Sequence, residues 1–260
     1  MIGRKKTTRN IRIDISYDGS NYHGWQRQKG QVTIQEVLEN AVSKMTREKI
    51  NLLGSGRTDA GVHAICQVAN FLTSSKIPID GFEKGLNSLL PEDVAIISAK
   101  EVPLQFHARK SAKSKTYRYR IVESDKRLAL VHRRAWITSE SLRLAPMQEA
   151  ARSLIGTHDF SSFMAAGSNI SSTIRTINTI EIRQTLCPEY LPLEFTEFQI
   201  EINANGFLRY MVRNISALLK EVGCGRLSSR DATAIVKARD RAASPPTAPP
   251  WGLYLVKVYY

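Results

Sequence analysis

Ile11, Ile13, Ile15 and Tyr17 alternate with Arg12, Asp14 and Ser16, and that period of two admits only a strand with one buried face. The next apolar run changes period. Ile34, Val37, Leu38, Ala41, Val42 and Met45 recur at helical spacing behind Thr33 and Glu36, which are spaced for a capping box. Strand signals return at Ile50–Leu53, Ile65–Leu72 and Val94–Val102, with a helix opening at Asp80 and Glu83 between the last two. The second half repeats this order. A strand is expected around Thr116–Ile121, a helix at Pro146–Ile155, strands at Ile174–Arg183 and Phe195–Ala204, helices at 208–222 and 228–239, and a closing strand at Trp251–Tyr259. Strand–helix–strand order recurs in both halves, which suggests a duplicated architecture.

The most unusual stretch is Leu53–Ala64, L-G-S-G-R-T-D-A-G-V-H-A. Gly54, Gly56 and Gly61 point to special backbone dihedrals or a close approach by another segment. Arg57, Thr58, Asp59 and His63 place a cation, a hydroxyl, a carboxylate and an imidazole in a polar loop between two apolar runs. Functional groups held between rigid elements are a common way to build an active site. If the loop is locally extended, Arg57 and Asp59 point the same way and the cation keeps the carboxylate charged. His63 reads as a structural hydrogen-bonding partner. Gly61 interrupts any helix between Asp59 and His63, so the pair does not suggest a metal site.

Composition bears on the partner. The 260 residues include 37 Lys and Arg against 24 Asp and Glu, a formal charge of +13, which favours a polyanion. In Thr116–Ile121, Tyr117, Tyr119 and Ile121 should share one strand face and Arg118 and Arg120 the other, a combination suited to base stacking and phosphate contact. The three cysteines, Cys66, Cys187 and Cys224, are far apart and suggest a reduced compartment without disulfides or zinc. No apolar run is long enough for a membrane span, and a soluble cytoplasmic protein is expected. The basic segment Met1–Asn10 and the small polar run 167–172 are expected to be mobile.

Gly56–Ala64 resembles the signature of the TruA-type tRNA pseudouridine synthases throughout its nine residues. Further family-like runs follow the same order: Y-D-G-S-N-Y-H-G-W-Q from Tyr17, Phe106–Arg109, His158–Phe163, F-L-R-Y-M-V-R-N-I from Phe207, and A-P-P-W-G-L-Y-L from Ala248. The resemblance implies two similar α+β domains with largely antiparallel mixed sheets flanked by helices and an active-site cleft between them. The domains are expected at 1–107 and 108–260. It makes Asp59 the catalytic residue, gives Arg57 a part in displacing the target base, sets Tyr117 against that base, and places Arg213 near the carboxylate. It also implies a homodimer acting on uridines 38 to 40 of the tRNA anticodon stem-loop, with no cofactor and no metal.

The implied isomerisation breaks the bond from uracil N1 to ribose C1′, turns the base and rejoins it through C5. One ionised carboxylate can serve by attacking the ring, attacking the sugar or abstracting a sugar proton. Two other readings are distinguishable. A non-catalytic RNA-binding protein on the same fold would not need Asp59, and a nucleoside hydrolase usually employs a second carboxylate or a metal.

Overall fold

The computed structural model describes residues 8–168, 170–187 and 195–260. Residues 1–7, which carry most of the basic amino-terminal segment, and Asn169, within the expected 167–172 loop, lie outside them. The elements run β1 (Arg9–Tyr17), α1 (Ile34–Thr46), β2 (Leu53–Gly54), β3 (His63–Thr73), α2 (Ile79–Asn87) and β4 (Val94–Val102). They continue with β5 (Ser114–Glu123), β6 (Trp136–Thr138), α3 (Leu144–Arg152), β7 (Gly156–Asp159), β8 (Ile174–Leu186), β9 (Thr196–Ala204), α4 (Met211–Gly223), α5 (Ser229–Ala238) and β10 (Leu253–Tyr259).

Two compact units result. The first takes the chain up to Lys113 together with Leu255–Tyr260, and the second is Ser114–Tyr254. Sequence reading expects the change at 107/108, but hydrogen bonds carry the chain further into the first unit. Ala108 is fully buried. Its N–H donates to Asn70 Oδ1 (2.8 Å), its carbonyl accepts from the Tyr260 hydroxyl (2.8 Å), and Lys113 N–H donates to Tyr259 O (2.8 Å).

In the first unit β1 lies between β4 and β3, antiparallel to both, with β10 on the far side of β3 and β2 also paired to β3. Ile11, Ile13 and Ile15 are fully buried, as the alternation requires. The β1–β3 register slips between Ile15↔Gln67 and Tyr17↔Ala64, so β3 carries extra chain opposite Ser16. Such a bulge bends a strand and re-aims its side chains, and this one sits just past the glycine-punctuated loop. Thr33 caps α1 by accepting the Glu36 N–H (3.4 Å). The expected box is not reciprocal, because Arg27 Nη2 draws the Glu36 carboxylate away (3.3 Å).

In the second unit β5, β9, β8 and β7 lie side by side, antiparallel throughout, and β6 adds a parallel pairing to the end of β5. Helix α3 packs against α4, α5 and β8. Both units are therefore largely antiparallel α+β assemblies flanked by helices. His158 and Asp159 form the end of β7, while Phe160 and Phe163 are fully buried. Ser228 and Asp231 complete the reciprocal capping box at the start of α5. Among the described residues no helix is long and apolar enough to cross a membrane.

Candidate active site

The loop from Ser55 to Val62 leaves the two-residue β2 and enters β3, and three sets of bonds fix it. At its start Ser55 N–H donates to Val68 O (2.7 Å) and Ser55 Oγ to Gln67 Oε1 (2.5 Å). Gln67, fully buried, returns a bond from Nε2 to Gly56 O (2.9 Å). In the middle, Thr58 is 7% exposed, its Oγ1 lies 2.7 Å from the Tyr17 hydroxyl, and its carbonyl accepts the Trp25 N–H (3.0 Å). At its end Asp59 O accepts the Val62 N–H (3.2 Å), closing a turn in which Gly61 has φ +76°. A side chain at that dihedral is strained, so the glycine is required by the turn. Burial pushes the Tyr17 phenol far above its ordinary range, and its bonds to Thr58 and Gln67 offset this only in part. Tyr17 therefore remains a neutral hydrogen-bonding post.

The run from Asp18 to Gln26 wraps this loop. Asp18 caps a short 3-10 turn, and the chain then presses two glycines on the loop backbone. A Cβ on Gly19 would stand 2.0 Å from Val62 O, and one on Gly24 would stand 2.6 Å from Thr58 O. Trp25, 2% exposed, covers Gly54 so closely that a Cβ there would meet its indole at 2.5 Å. His63 is 2% exposed, with Nδ1 2.9 Å from Asp18 Oδ1 and 3.1 Å from the Gly19 nitrogen. Nδ1 serves one of these at a time: unprotonated it accepts from Gly19, and protonated it donates to Asp18. Either way His63 fastens the wrapping segment to β3. The Asp18–Gln26 segment, with Trp25 packed on Gly54, thus clamps the loop.

Asp59 is half-buried at the centre of this frame and Arg57 is exposed two residues before it. Arg57 Nε donates to Gln26 Oε1 (3.0 Å), and Gln26 Nε2 donates to Gln35 Oε1 (2.9 Å). Gln35 in turn holds Glu39 (3.0 Å) and Leu52 O (3.1 Å), and Glu39 accepts the Leu52 N–H (3.0 Å). Buried polar groups joined in this way form a stiff support, here running from α1 to both Leu52 and Arg57. Tyr17, Gln35, Glu39 and Gln67 escaped sequence reading. The available signal was polar residues at Gln35 and Glu39, four apart in a helix whose neighbours are apolar.

Tyr117 and Arg213 belong to the second unit. Tyr117 is 8% exposed on β5 opposite Ile202, its ring edge-on to Phe207 at 5.0 Å. Tyr119 and Ile121 share its buried face, as expected. Arg118 and Arg120 do not present cations to a ligand. They pair across the strand with Glu201 (2.7 Å) and with both carboxylate oxygens of Glu197 (2.7 Å each).

Arg213 Nε donates to Ala248 O (2.7 Å), and the Tyr119 hydroxyl donates to Pro249 O (2.7 Å). Together these tie the stretch before β10 to α4 and β5. Arg209 precedes the helix that carries Arg213, because α4 starts only at Met211 and Tyr210 adopts a left-handed φ of +66°. Both guanidiniums instead approach the Tyr210 ring, at 4.8 and 4.6 Å. A bulky residue held in that region costs about 1–3 kcal/mol and tends to mark a functional segment.

A family model for tRNA pseudouridine synthase matches residues 14–109 and 150–260. A tRNA pseudouridine synthase A of Thermoanaerobacter pseudethanolicus is 46% identical over 252 residues, covering 97% of this chain and 100% of the relative. Proteins of the same name from Acetivibrio thermocellus and Geotalea uraniireducens are 44% and 40% identical over the same shares of both chains. The matched segments contain the Asp59 loop, its clamp and the Arg213 helix, and the chain belongs to the tRNA pseudouridine synthase family.

Proposed function

We propose that this enzyme converts uridine to pseudouridine in tRNA at positions 38 to 40 of the anticodon stem-loop, with Asp59 as the catalytic carboxylate. The observation that carries this reading is the R-T-D loop itself. Its backbone is fixed on both sides of Asp59 by buried bonds, while the carboxylate remains partly accessible. Such a group meets its substrate without reorganising first, which lowers the barrier to reaction. Arg57, exposed beside it, is suited to enter the space that a stacked base vacates, a step required when chemistry is done on a base in structured RNA.

Tyr117 lies against the target base in this reading, and Phe207 fixes the tilt of its ring. Arg213 supplies positive charge near the reacting carboxylate while its Nε keeps the 248–249 backbone in place. The protein acts in the cytoplasm as a homodimer, without a cofactor. Incubation with unmodified tRNA and no additive, followed by nucleoside analysis, tests the proposal. Pseudouridine is expected. Release of free uracil would indicate hydrolysis, and binding without product would indicate a non-catalytic RNA-binding protein.

A further inference from the structure

The connection between β5 and β6, residues 124–135, is polar and exposed, yet it is not loosely attached. Leu128, Val131 and Ala135 are buried in a small cluster with Val122, Cys187 and Phe195. Backbone bonds from Val131 to Leu128 (3.2 Å), His132 to Ala129 (3.2 Å) and Arg134 to Val131 (2.9 Å) close successive tight turns. Arg134 O also accepts the Tyr254 hydroxyl (2.6 Å).

Between these anchors Lys126, Arg127, His132, Arg133 and Arg134 are exposed, against one exposed acid, Asp125. Among the described residues no carboxylate pairs with Lys126 or Arg127. Leu130 stands in their midst, 81% exposed, more than any other large apolar side chain of the described residues. A rigid rim of cations around one apolar tip matches a nucleic-acid backbone, whose phosphates flank the apolar faces of sugars and bases.

Position along β5 gives the surface its meaning. Tyr117 pairs with Ile202 and Glu123 with Thr196, so Tyr117 and the start of the connection are six residues apart on one strand. At ~3.4 Å per residue this is about 20 Å, or roughly six nucleotide steps of ~3.4 Å along a strand. We propose that the 124–135 connection is a second RNA-contacting surface, gripping the backbone of the same tRNA, with its start at the end of β5 about 20 Å from the base that is isomerised. The proposal rests on the tRNA reading above. It adds that the enzyme recognises the body of its substrate through a fixed basic platform, separate from the residues that surround the base.

The test compares wild-type protein, Lys126→Ala/Arg127→Ala, Leu130→Ala, and a control pair of exposed lysines in the first unit, Lys76→Ala/Lys84→Ala. Full-length tRNA binding is measured across salt concentrations, with hydroxyl-radical footprinting of the bound RNA. The double variant in the connection should bind about tenfold more weakly near 0.1 M salt, with its log–log salt slope flatter by about one to two. Footprints away from the modified base should disappear while those around it stay, and turnover at saturating tRNA should be unchanged. Leu130→Ala should weaken binding without altering the slope. Unchanged affinity, an equal loss in the control pair, or footprint loss confined to the target loop would each overturn the proposal. Binding of wild-type protein to phosphatidylserine vesicles, abolished by the double variant while tRNA affinity holds, would assign the surface to a membrane instead. Because binding is read without turnover, absence of pseudouridine in the wild-type control would count against the catalytic reading alone.

Discussion

Replacing Gly19 by alanine tests whether the Asp18–Gln26 segment positions the Asp59 loop or merely covers it. The added Cβ would stand 2.0 Å from Val62 O and 2.6 Å from Val62 C, both backbone atoms. An ordinary carbon–oxygen approach of ~3.3 Å requires the two segments to separate by about 1.3 Å. Val62 N–H closes the turn on Asp59 O, so displacing Val62 shifts the backbone of Asp59 with it. A misplacement of about 1 Å at a reacting group costs ~10²-fold in rate, equivalent to about 2.7 kcal/mol of barrier.

Single-turnover isomerisation with enzyme in excess should therefore slow by about two orders of magnitude, with tRNA affinity within a few fold. The comparison is Gly30→Ala, where φ is +75° but no atom lies within 4 Å of the new Cβ. Strain there costs stability, about 1–2 kcal/mol, and should leave the chemical step untouched. A wild-type rate in folded Gly19→Ala, or equal slowing in Gly30→Ala, would refute a positioning role for the Asp18–Gln26 segment.

Asp59→Asn should abolish isomerisation while tRNA binding stays within a few fold, since shape is kept and the carboxylate is lost; near-normal turnover in the folded variant would remove Asp59 from its role. Tyr117→Ala should weaken tRNA binding by roughly 1–3 kcal/mol if the ring stacks on the base. Tyr117→Phe should keep binding but slow the single-turnover rate if the hydroxyl assists proton transfer; full activity in the alanine variant, with its melting checked, would return the ring to the core beside Phe207. Arg226 and Lys220 hold the Glu140 carboxyl down from 4.5 to about 2. Because the folded value is the lower one, the stabilisation is complete above about pH 4.5 and is lost as pH falls through about 2. Melting temperatures of wild type and Glu140→Gln should accordingly differ at pH 6 and converge near pH 2, and a constant offset would contradict this linkage.

Local periodicity was legible wherever one face of an element decides burial. The alternation from Ile11 to Tyr17 and the Val94–Val102 strand are present as read, and α1 occupies its apolar spacing. The failures have a common cause. Ile50–Leu53 carries a strand signal, but pairing covers only Leu53 and Gly54, because Leu52 spends its N–H on Glu39 of α1. The apolar spacing from Leu208 onward suggested a longer helix, yet the left-handed Tyr210 delays its start to Met211. Arg118 and Arg120 looked available for phosphate until the partner strand supplied Glu201 and Glu197. In each case the deciding partner is remote in sequence or the deciding dihedral leaves no periodic trace. The signature residues around Asp59 were evident for the opposite reason, being contiguous. What holds them, through Tyr17, Gln35 and Gln67, is distributed over three elements.

The membership of Leu255–Tyr260 in the first unit bears on how a nascent chain matures. β3, which receives the Asp59 loop, has β1 on one side and β10 with the two-residue β2 on the other. The ribosome makes β1 and β3 early, but Ser114–Tyr254 must be synthesised before β10 is available. Until then that edge of β3 is covered only by the two residues of β2 and is otherwise unpaired, the kind of surface on which strands from other chains assemble. Translation pauses after Lys113 should accordingly be hazardous. A release of the polypeptide before residue 255 would leave the Asp59 loop on an unfinished sheet, so premature products should be recovered as aggregates rather than as partly active enzyme.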